Sequence, residues 1–221
     1  MSIDVAAIRK FSFALLTGLV FAAPAATGAW AQGAAVEGRQ YSRINPLPVE
    51  TGKKIEVIEF FSYGCPHCAE FEPFLMDWVK AQPADVAFRR VPVMFQPRWV
   101  DLAKVFYTLE TMGEDVKLSP EVFSAIHSKG LALWEPAKFY DWAAAKGLDR
   151  KKVEDIYNSF SMSGRVNRAK QLAQAYNVQE VPLLIVDGKF LTSPSRAGTH
   201  AAMPPILNEL VAKARAERPK S

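Results

Sequence analysis

The chain has 221 residues, of which 49% are hydrophobic, 23% charged and 11% aromatic. That balance excludes a disordered or collagen-like chain and suits one globular domain, with room for an inserted subdomain. The formal net charge of +4 comes from mixed charges, and no Lys/Arg block is interleaved with aromatics, so nothing argues for nucleic acid as a partner.

Arg9 and Lys10 precede an apolar run from Phe11 to Ala23, which leads to the triplet Ala29-Trp30-Ala31. A positive start, a short apolar run and an Ala-x-Ala site describe a secretory signal peptide over residues 1–31. The run falls short of the roughly 20 apolar residues a membrane-spanning helix needs, which puts an uncleaved anchor behind cleavage. Residues 32–221 are then the mature chain. No second long apolar stretch follows, so a soluble exported protein in an oxidising compartment is expected.

Gln32 to Thr51 is polar and proline-bearing, and reads as an extended arm. Glu56 to Phe61 is a short apolar run with β-branched and aromatic residues, the pattern of a strand buried on both faces. Ser62-Tyr63-Gly64 is a turn. A helix opens at Cys65, with Phe71, Phe74, Leu75, Trp78 and Val79 at helical spacing. Pro66 suits its first turn, where a missing N–H costs nothing. Val86 to Val91 is a second strand, which implies a right-handed parallel crossover.

Residues from about 96 to 176 read as helical. Ser119-Pro120-Glu121 looks like a helix start. Val153, Ile156, Tyr157 and Phe160 form one apolar stripe; Val166, Ala169, Ala173 and Tyr176 form another. Leu183 to Val186 and Lys189 to Thr192 are strands joined by Asp187-Gly188, a two-residue hairpin signal. Met203, Ile206, Leu207, Leu210, Val211 and Ala214 mark an amphipathic last helix, and Arg215 to Ser221 reads as a frayed tail. There is no internal repeat. The order gives an α/β layer from parts at about 50–95 and 177–215, interrupted by a helical insertion at about 96–176.

Both cysteines of the chain lie in Cys65-Pro66-His67-Cys68, between a strand and a helix. A disulfide across so short a loop restrains the unfolded chain by only about 2 kcal/mol, and a domain of this size has little need of it. As a redox pair the placement makes sense. Cys65 sits at the helix N-terminus, where free N–H groups and the helix dipole stabilise an anion. Such settings bring cysteine pKa values from about 8.5 to about 3.5–7.5, a range drawn partly from known Cys-x-x-Cys oxidoreductases. Cys65 is then nucleophile and leaving group, and Cys68, one turn on, the resolving thiol. His67 can donate an N–H toward the Cys65 sulfur or add positive charge. If Cys65 fell to a pKa of about 4, the reduced form would gain about 4 kcal/mol at pH 7, or roughly 90 mV of oxidising power. An exposed turn histidine is the alternative for His67 and the preferred reading for His127 and His200. Zinc would need four ligands, and only these two cysteines and three scattered histidines are on offer. Copper handling is the other metal alternative. No metal and no cofactor is expected.

The stretch from Glu59 to Cys68, with Val178-Gln179-Glu180-Val181-Pro182, resembles the DsbA family of periplasmic thiol oxidases in the thioredoxin superfamily. The hairpin after Pro182 and the helical insertion agree. The resemblance implies a thioredoxin fold, a central mixed sheet flanked by helices, with an inserted helical subdomain. It implies that the Val181–Pro182 bond is cis and lies beside the Cys65 sulfur, with the Val181 backbone free to pair with a substrate chain. It makes Glu59, set among Val57, Ile58, Phe60 and Phe61, a buried acid that relays a proton from Cys68; a strand-end glutamate reaching solvent is the alternative. Glu72 matches a family acid that pairs with a lysine, where this chain offers Arg89 or Arg90, and a surface ion pair is the plainer reading.

The activity implied is donation of the Cys65–Cys68 disulfide to exported proteins with cysteine thiols. Reoxidation would fall to a quinone-linked membrane protein of the DsbB type. A periplasmic reductase or isomerase is the alternative. Dimeric isomerases of the superfamily carry an N-terminal dimerisation domain, for which the roughly two dozen residues before the first active-site strand leave no room, so a monomer is expected. A non-redox binding or chaperone module is the third reading.

Overall fold

The computed structural model describes residues 34–218; the signal peptide expected over residues 1–31 lies outside them. Five strands form one mixed sheet: β1 (Tyr41–Arg43), β2 (Ile55–Phe61), β3 (Val86–Pro92), β4 (Leu183–Val186) and β5 (Phe190–Thr192), in the order β1-β5-β4-β2-β3. β2 runs parallel to β3; the β2–β4, β4–β5 and β1–β5 pairs are antiparallel. All seven residues of β2 are buried, as a central strand covered on both faces requires. Alternate side chains of β2 and β4 feed two cores. Val57, Leu184 and Val186 pack with Phe71, Leu75 and Trp78 of α1 (Pro66–Lys80) and with Ile206, Leu207 and Leu210 of the last helix (Met203–Glu217). Ile58, Phe60, Leu183 and Ile185 face the other way, toward the helical insertion.

The crossover from β2 to β3 passes through α1, as the strand–helix–strand order predicts. Between β3 and β4 lie five helices: α2 (Pro97–Met112), α3 (Asp115–His127), α4 (Pro136–Ala145), α5 (Arg150–Tyr157) and α6 (Phe160–Ala175). α2 ends on Gly113 at φ +74°, whose N–H caps the helix on the Leu109 and Glu110 carbonyls, a left-handed stop that glycine tolerates best. Asp187 and Gly188 both have positive φ, the two-residue turn foreseen between β4 and β5. A short helix, α7 (Pro194–Ala197), and a 3-10 turn (His200–Ala202) precede the last helix, α8 (Met203–Glu217).

Four local readings are corrected. The arm contains a strand: Tyr41–Arg43 pairs with Phe190–Thr192 at the sheet edge. Ser119-Pro120 does not start a helix but lies inside α3. Ser119 is fully buried, and its hydroxyl bonds the Tyr63 hydroxyl at 2.6 Å instead of capping a helix end. Phe160 is 98% exposed, because the chain turns at Asn158–Ser159 between α5 and α6 and the apolar stripe loses its phase. Arg215–Glu217 continue α8 rather than fray. Glu217 pairs with Arg43, and Arg218 reaches Asp187 and the Lys54 carbonyl.

Candidate active site

The reactive turn is built by β2, by α1 and by the loop entering β4. Cys65 is the N-cap of α1 with extended backbone angles, φ −97° and ψ 116°. Its N–H donates to the Ser62 carbonyl at 3.0 Å, and the Ser62 hydroxyl accepts the Gly64 N–H at 3.1 Å. Pro66 holds the first helical position. Gly64 faces the Trp99 indole so closely that a Cβ would lie 2.4 Å from its Nε1. The helical insertion therefore presses on the turn directly. It also grips Tyr63, whose carbonyl accepts from His127 Nε2 at 2.8 Å.

Cys65 is 6% exposed and Cys68 fully buried, and both thiols are free. Their environments push them apart. The Cys65 thiol is lowered to about 7, first by the hydrogen bond from the Cys68 thiol, then by the Cys68 and His67 backbone amides, with burial opposing. Cys68 is raised well above its ordinary value, by burial first and then by Cys65 and the charge of Glu59. The charge of the His67 ring contributes least to Cys65. The ring is exposed and Nδ1 lies 3.2 Å from Glu70 Oε2, so the donation toward sulfur expected from the sequence is not made. His127 and His200 are more than turn residues. His127 ends α3 and holds the Tyr63 carbonyl, and His200 is half-buried against the rings of Phe71 and Phe74.

Across from α1, the Val181–Pro182 bond is cis. The Cys65 Sγ donates to the Val181 carbonyl at 3.5 Å. A cavity of about 480 Å³ adjoins this contact, with His67, Glu70, Val181, Pro182 and His200 in its walls.

Glu59 lies beneath the turn at 1% exposure. It is in register with Arg90 on β3 and Leu184 on β4. Its Oε2 accepts from Arg90 Nε at 2.7 Å, and Arg90 also binds both oxygens of Glu72. The pairing expected at the surface is thus a buried Glu59–Arg90–Glu72 triad, and Arg89 pairs elsewhere, with Glu56 at 2.9 Å. The Arg90 guanidinium also lies over the Phe61 ring at 5.2 Å. Burial pushes the Glu59 carboxyl up to about 7 against the pull of Arg90, with Glu72 adding to the rise. Among the described residues, no group of three or more His, Cys, Asp or Glu side chains converges as a metal ion would require. The sequence reading missed Trp99 and the role of His127. Neither carries a local signal, because each acts from the insertion across a long sequence separation.

Residues 79–200 match the family model of the DSBA-like thioredoxin domain. The thiol:disulfide interchange protein DsbA of Bordetella parapertussis is 40% identical over 200 residues, 89% of this chain and 95% of that protein. The chain belongs to the DsbA family. The DsbA of Pseudomonas aeruginosa is also 40% identical, over 83% of this chain and 87% of its own. The crystal structure of P. aeruginosa DsbA superposes with a TM-score of 0.79 at 39% identity, covering 82% of this chain and 95% of that one. The oxidoreductase DsbA of Xylella fastidiosa gives a TM-score of 0.76 at 27% identity, covering 82% and 98%. The fold is the DsbA-like thioredoxin fold, and the protein is a thiol:disulfide oxidoreductase with Cys65 and Cys68 in the Cys-x-x-Cys arrangement.

Proposed function

We propose that residues 32–221 work in the periplasm after removal of the leader, donating the Cys65–Cys68 disulfide to exported proteins. A substrate thiolate attacks Cys65 Sγ; the Cys65–Cys68 bond breaks, and Cys68 leaves and takes a proton. The substrate's second thiolate then attacks the mixed disulfide and releases Cys65 as thiolate. One substrate disulfide forms and one protein disulfide is reduced, a two-electron exchange with no cofactor. A quinone-linked membrane oxidase of the DsbB type is the partner for reoxidation, and the protein acts as a monomer.

One observation carries this reading. The lowered thiol, Cys65, sits at a helix N-terminus against the Val181 carbonyl, while its partner Cys68 is buried and raised. The first is the better nucleophile and leaving group; the second is protected. Val181 offers its backbone to an extended substrate segment, and Pro182, lacking an N–H, adds no competing donor. Glu59, titrating near neutrality, gives a proton to the departing Cys68 and takes it back when Cys68 attacks during reoxidation.

The test is the redox equilibrium of the protein with glutathione buffers at about pH 7, together with its transfer of a disulfide to a reduced, unfolded cysteine-containing protein. A potential well above the glutathione couple, with stoichiometric transfer that Cys65→Ser abolishes, supports donation. A value near thioredoxin's, about −270 mV, makes the protein a reductase. Function undiminished in Cys65→Ser would move it to the binding modules.

A further inference from the structure

The cavity beside Cys65 has a chemical bias that the exchange reaction does not require. Its walls carry two carboxylates, Glu70 and Glu180, and two histidines, His67 and His200, but no lysine or arginine. Glu180 is exposed and directly precedes Val181. Its carboxylate is held in place by serine hydroxyls. Ser193 Oγ donates to Oε1 at 2.8 Å, and Ser195 Oγ lies 3.0 and 3.2 Å from the two oxygens. Ser193 is itself 1% exposed, so the mount is rigid. Glu180 makes no ion pair with any described residue, whereas Glu70 is paired with His67. Lys189, the nearest cation in sequence, pairs with Asp187 at 3.2 Å, and Arg196 binds the Ser42 hydroxyl at 3.0 Å.

A fixed, unneutralised carboxylate in the wall of a substrate cavity attracts a cation at little ordering cost. Because Glu180 adjoins the Val181 backbone, and successive residues of an extended chain lie about 3.3 Å apart, a residue close to the substrate cysteine passes within its reach. We infer that Glu180 is a specificity-determining residue that favours substrate cysteines flanked by lysine or arginine. This rests on thiol–disulfide exchange at Cys65 and adds to it a substrate class. Glu180 is exposed, so at a separation of 4–6 Å in a water-like dielectric one such pair is worth roughly a threefold to sixfold difference in rate.

The test compares dithiol peptides of one sequence carrying Lys, Gln or Glu beside the attacked cysteine. Each reacts with the oxidised protein at low salt, and each rate is divided by the same peptide's rate with a small neutral disulfide, which removes differences in peptide thiol pKa. The Lys peptide should exceed the Gln peptide roughly threefold to sixfold, and the Glu peptide by more, since repulsion adds to the difference. The ratio should shrink toward one in Glu180→Gln and near molar salt, where the screening length falls to about 3 Å, and should invert in Glu180→Lys. Both peptides are read in the same variant, so any general loss of fold or activity cancels in the ratio, and the near-isosteric glutamine keeps the comparison valid if the lysine variant is unstable. Equal normalised rates in the unaltered protein, or a Lys preference that persists in either Glu180 variant, would overturn the inference. Failure to oxidise even the Gln peptide would instead overturn the exchange reading itself.

Discussion

The oxidising power that Cys65 supplies can be sized and measured through pH. With Cys65 at about 7, half of it is thiolate at pH 7. That stabilises the reduced form by RT ln 2, about 0.4 kcal/mol, or about 9 mV for a two-electron couple. A pKa of about 4 would instead give roughly 90 mV, so the two cases differ by about 80 mV. The Cys65 pKa also fixes the slope of potential against pH. Below about pH 7, reduction takes up two protons and the potential falls by about 59 mV per pH unit. Above it, Cys65 stays a thiolate, one proton is taken up, and the slope halves to about 30 mV per unit. Glutathione equilibration with thiol trapping, from about pH 5 to about pH 9, would locate the break, and thiolate ultraviolet absorbance gives the same pKa independently. Glu59 titrates in the same range, so the series is repeated in Glu59→Gln, where a break that stays put belongs to Cys65. A break below about pH 5 would refute the assignment of the main stabilisation to the Cys68 thiol and the backbone amides. So would a single slope up to about pH 8.5.

Three further outcomes follow from the same geometry. Cys68→Ala removes the largest contribution to the lowered Cys65 thiol, so the Cys65 pKa should rise from about 7 toward the ordinary cysteine value of about 8.5, whereas Cys68→Ser keeps a donor and should hold it lower; alkylation rates against pH read both. Glu59 has a folded pKa raised from 4.5 to about 7, so the native state binds more protons than the unfolded state between these values, and stability is lost as pH rises through that window, by up to about 3 kcal/mol. Denaturant titrations at about pH 4.5 and pH 7.5 should show that loss in the reduced protein and a smaller one in Glu59→Gln. Gly64→Ala puts a methyl 2.4 Å from Trp99 Nε1 and 3.1 Å from a Leu102 methyl, so it should cost about 1–3 kcal/mol and perturb Cys65 alkylation, while Gly164→Ala, with nothing within 4 Å of the added carbon, should lower neither quantity.

What was legible in the sequence was what depends on near neighbours. Glu56–Phe61 reads as a doubly buried strand because Val57, Ile58, Phe60 and Phe61 outweigh its two glutamates, and Asp187-Gly188 reads as a turn because both residues accept positive φ. The cysteine pair, its helix start and Val181–Pro182 are equally local. What escaped depends on distant partners. Tyr41–Arg43 is a three-residue edge strand without alternation, and only its pairing with β5 defines it. Ser119-Pro120 carries a start signal that α3 overrides, because Leu118, Val122 and Phe123 are buried on either side and Ser119 is engaged by Tyr63. Arg90 could be offered as a partner for Glu72, but its simultaneous hold on Glu59 follows from the parallel register of β2 and β3, which local pattern does not encode.

The separation of the two cysteine pKa values bears on direction as much as on drive. Once a substrate is joined to Cys65, two thiols compete for the mixed disulfide: Cys68, which returns the substrate reduced, and the substrate's own second cysteine, which releases it oxidised. A free cysteine near 8.5 is a few per cent thiolate at pH 7. Cys68, raised by burial, by Cys65 and by the charge of Glu59, is ionised far less, tenfold less for each unit of pKa. Its attack is therefore held back by lack of thiolate, and the substrate's second thiol has the advantage. Glu59 sets how firmly. While charged and held by Arg90 it keeps Cys68 protonated; once neutral it no longer opposes the Cys68 thiolate. The triad beneath the turn thus belongs to the donor reading even though the Cys65 thiolate contributes little of the potential at pH 7. A potential that proved high would have to come from groups that favour the reduced pair without lowering Cys65. The Cys68 hydrogen bond to the Cys65 sulfur is not such a group, because it is the largest cause of the lowered Cys65 thiol and its effect is already counted there.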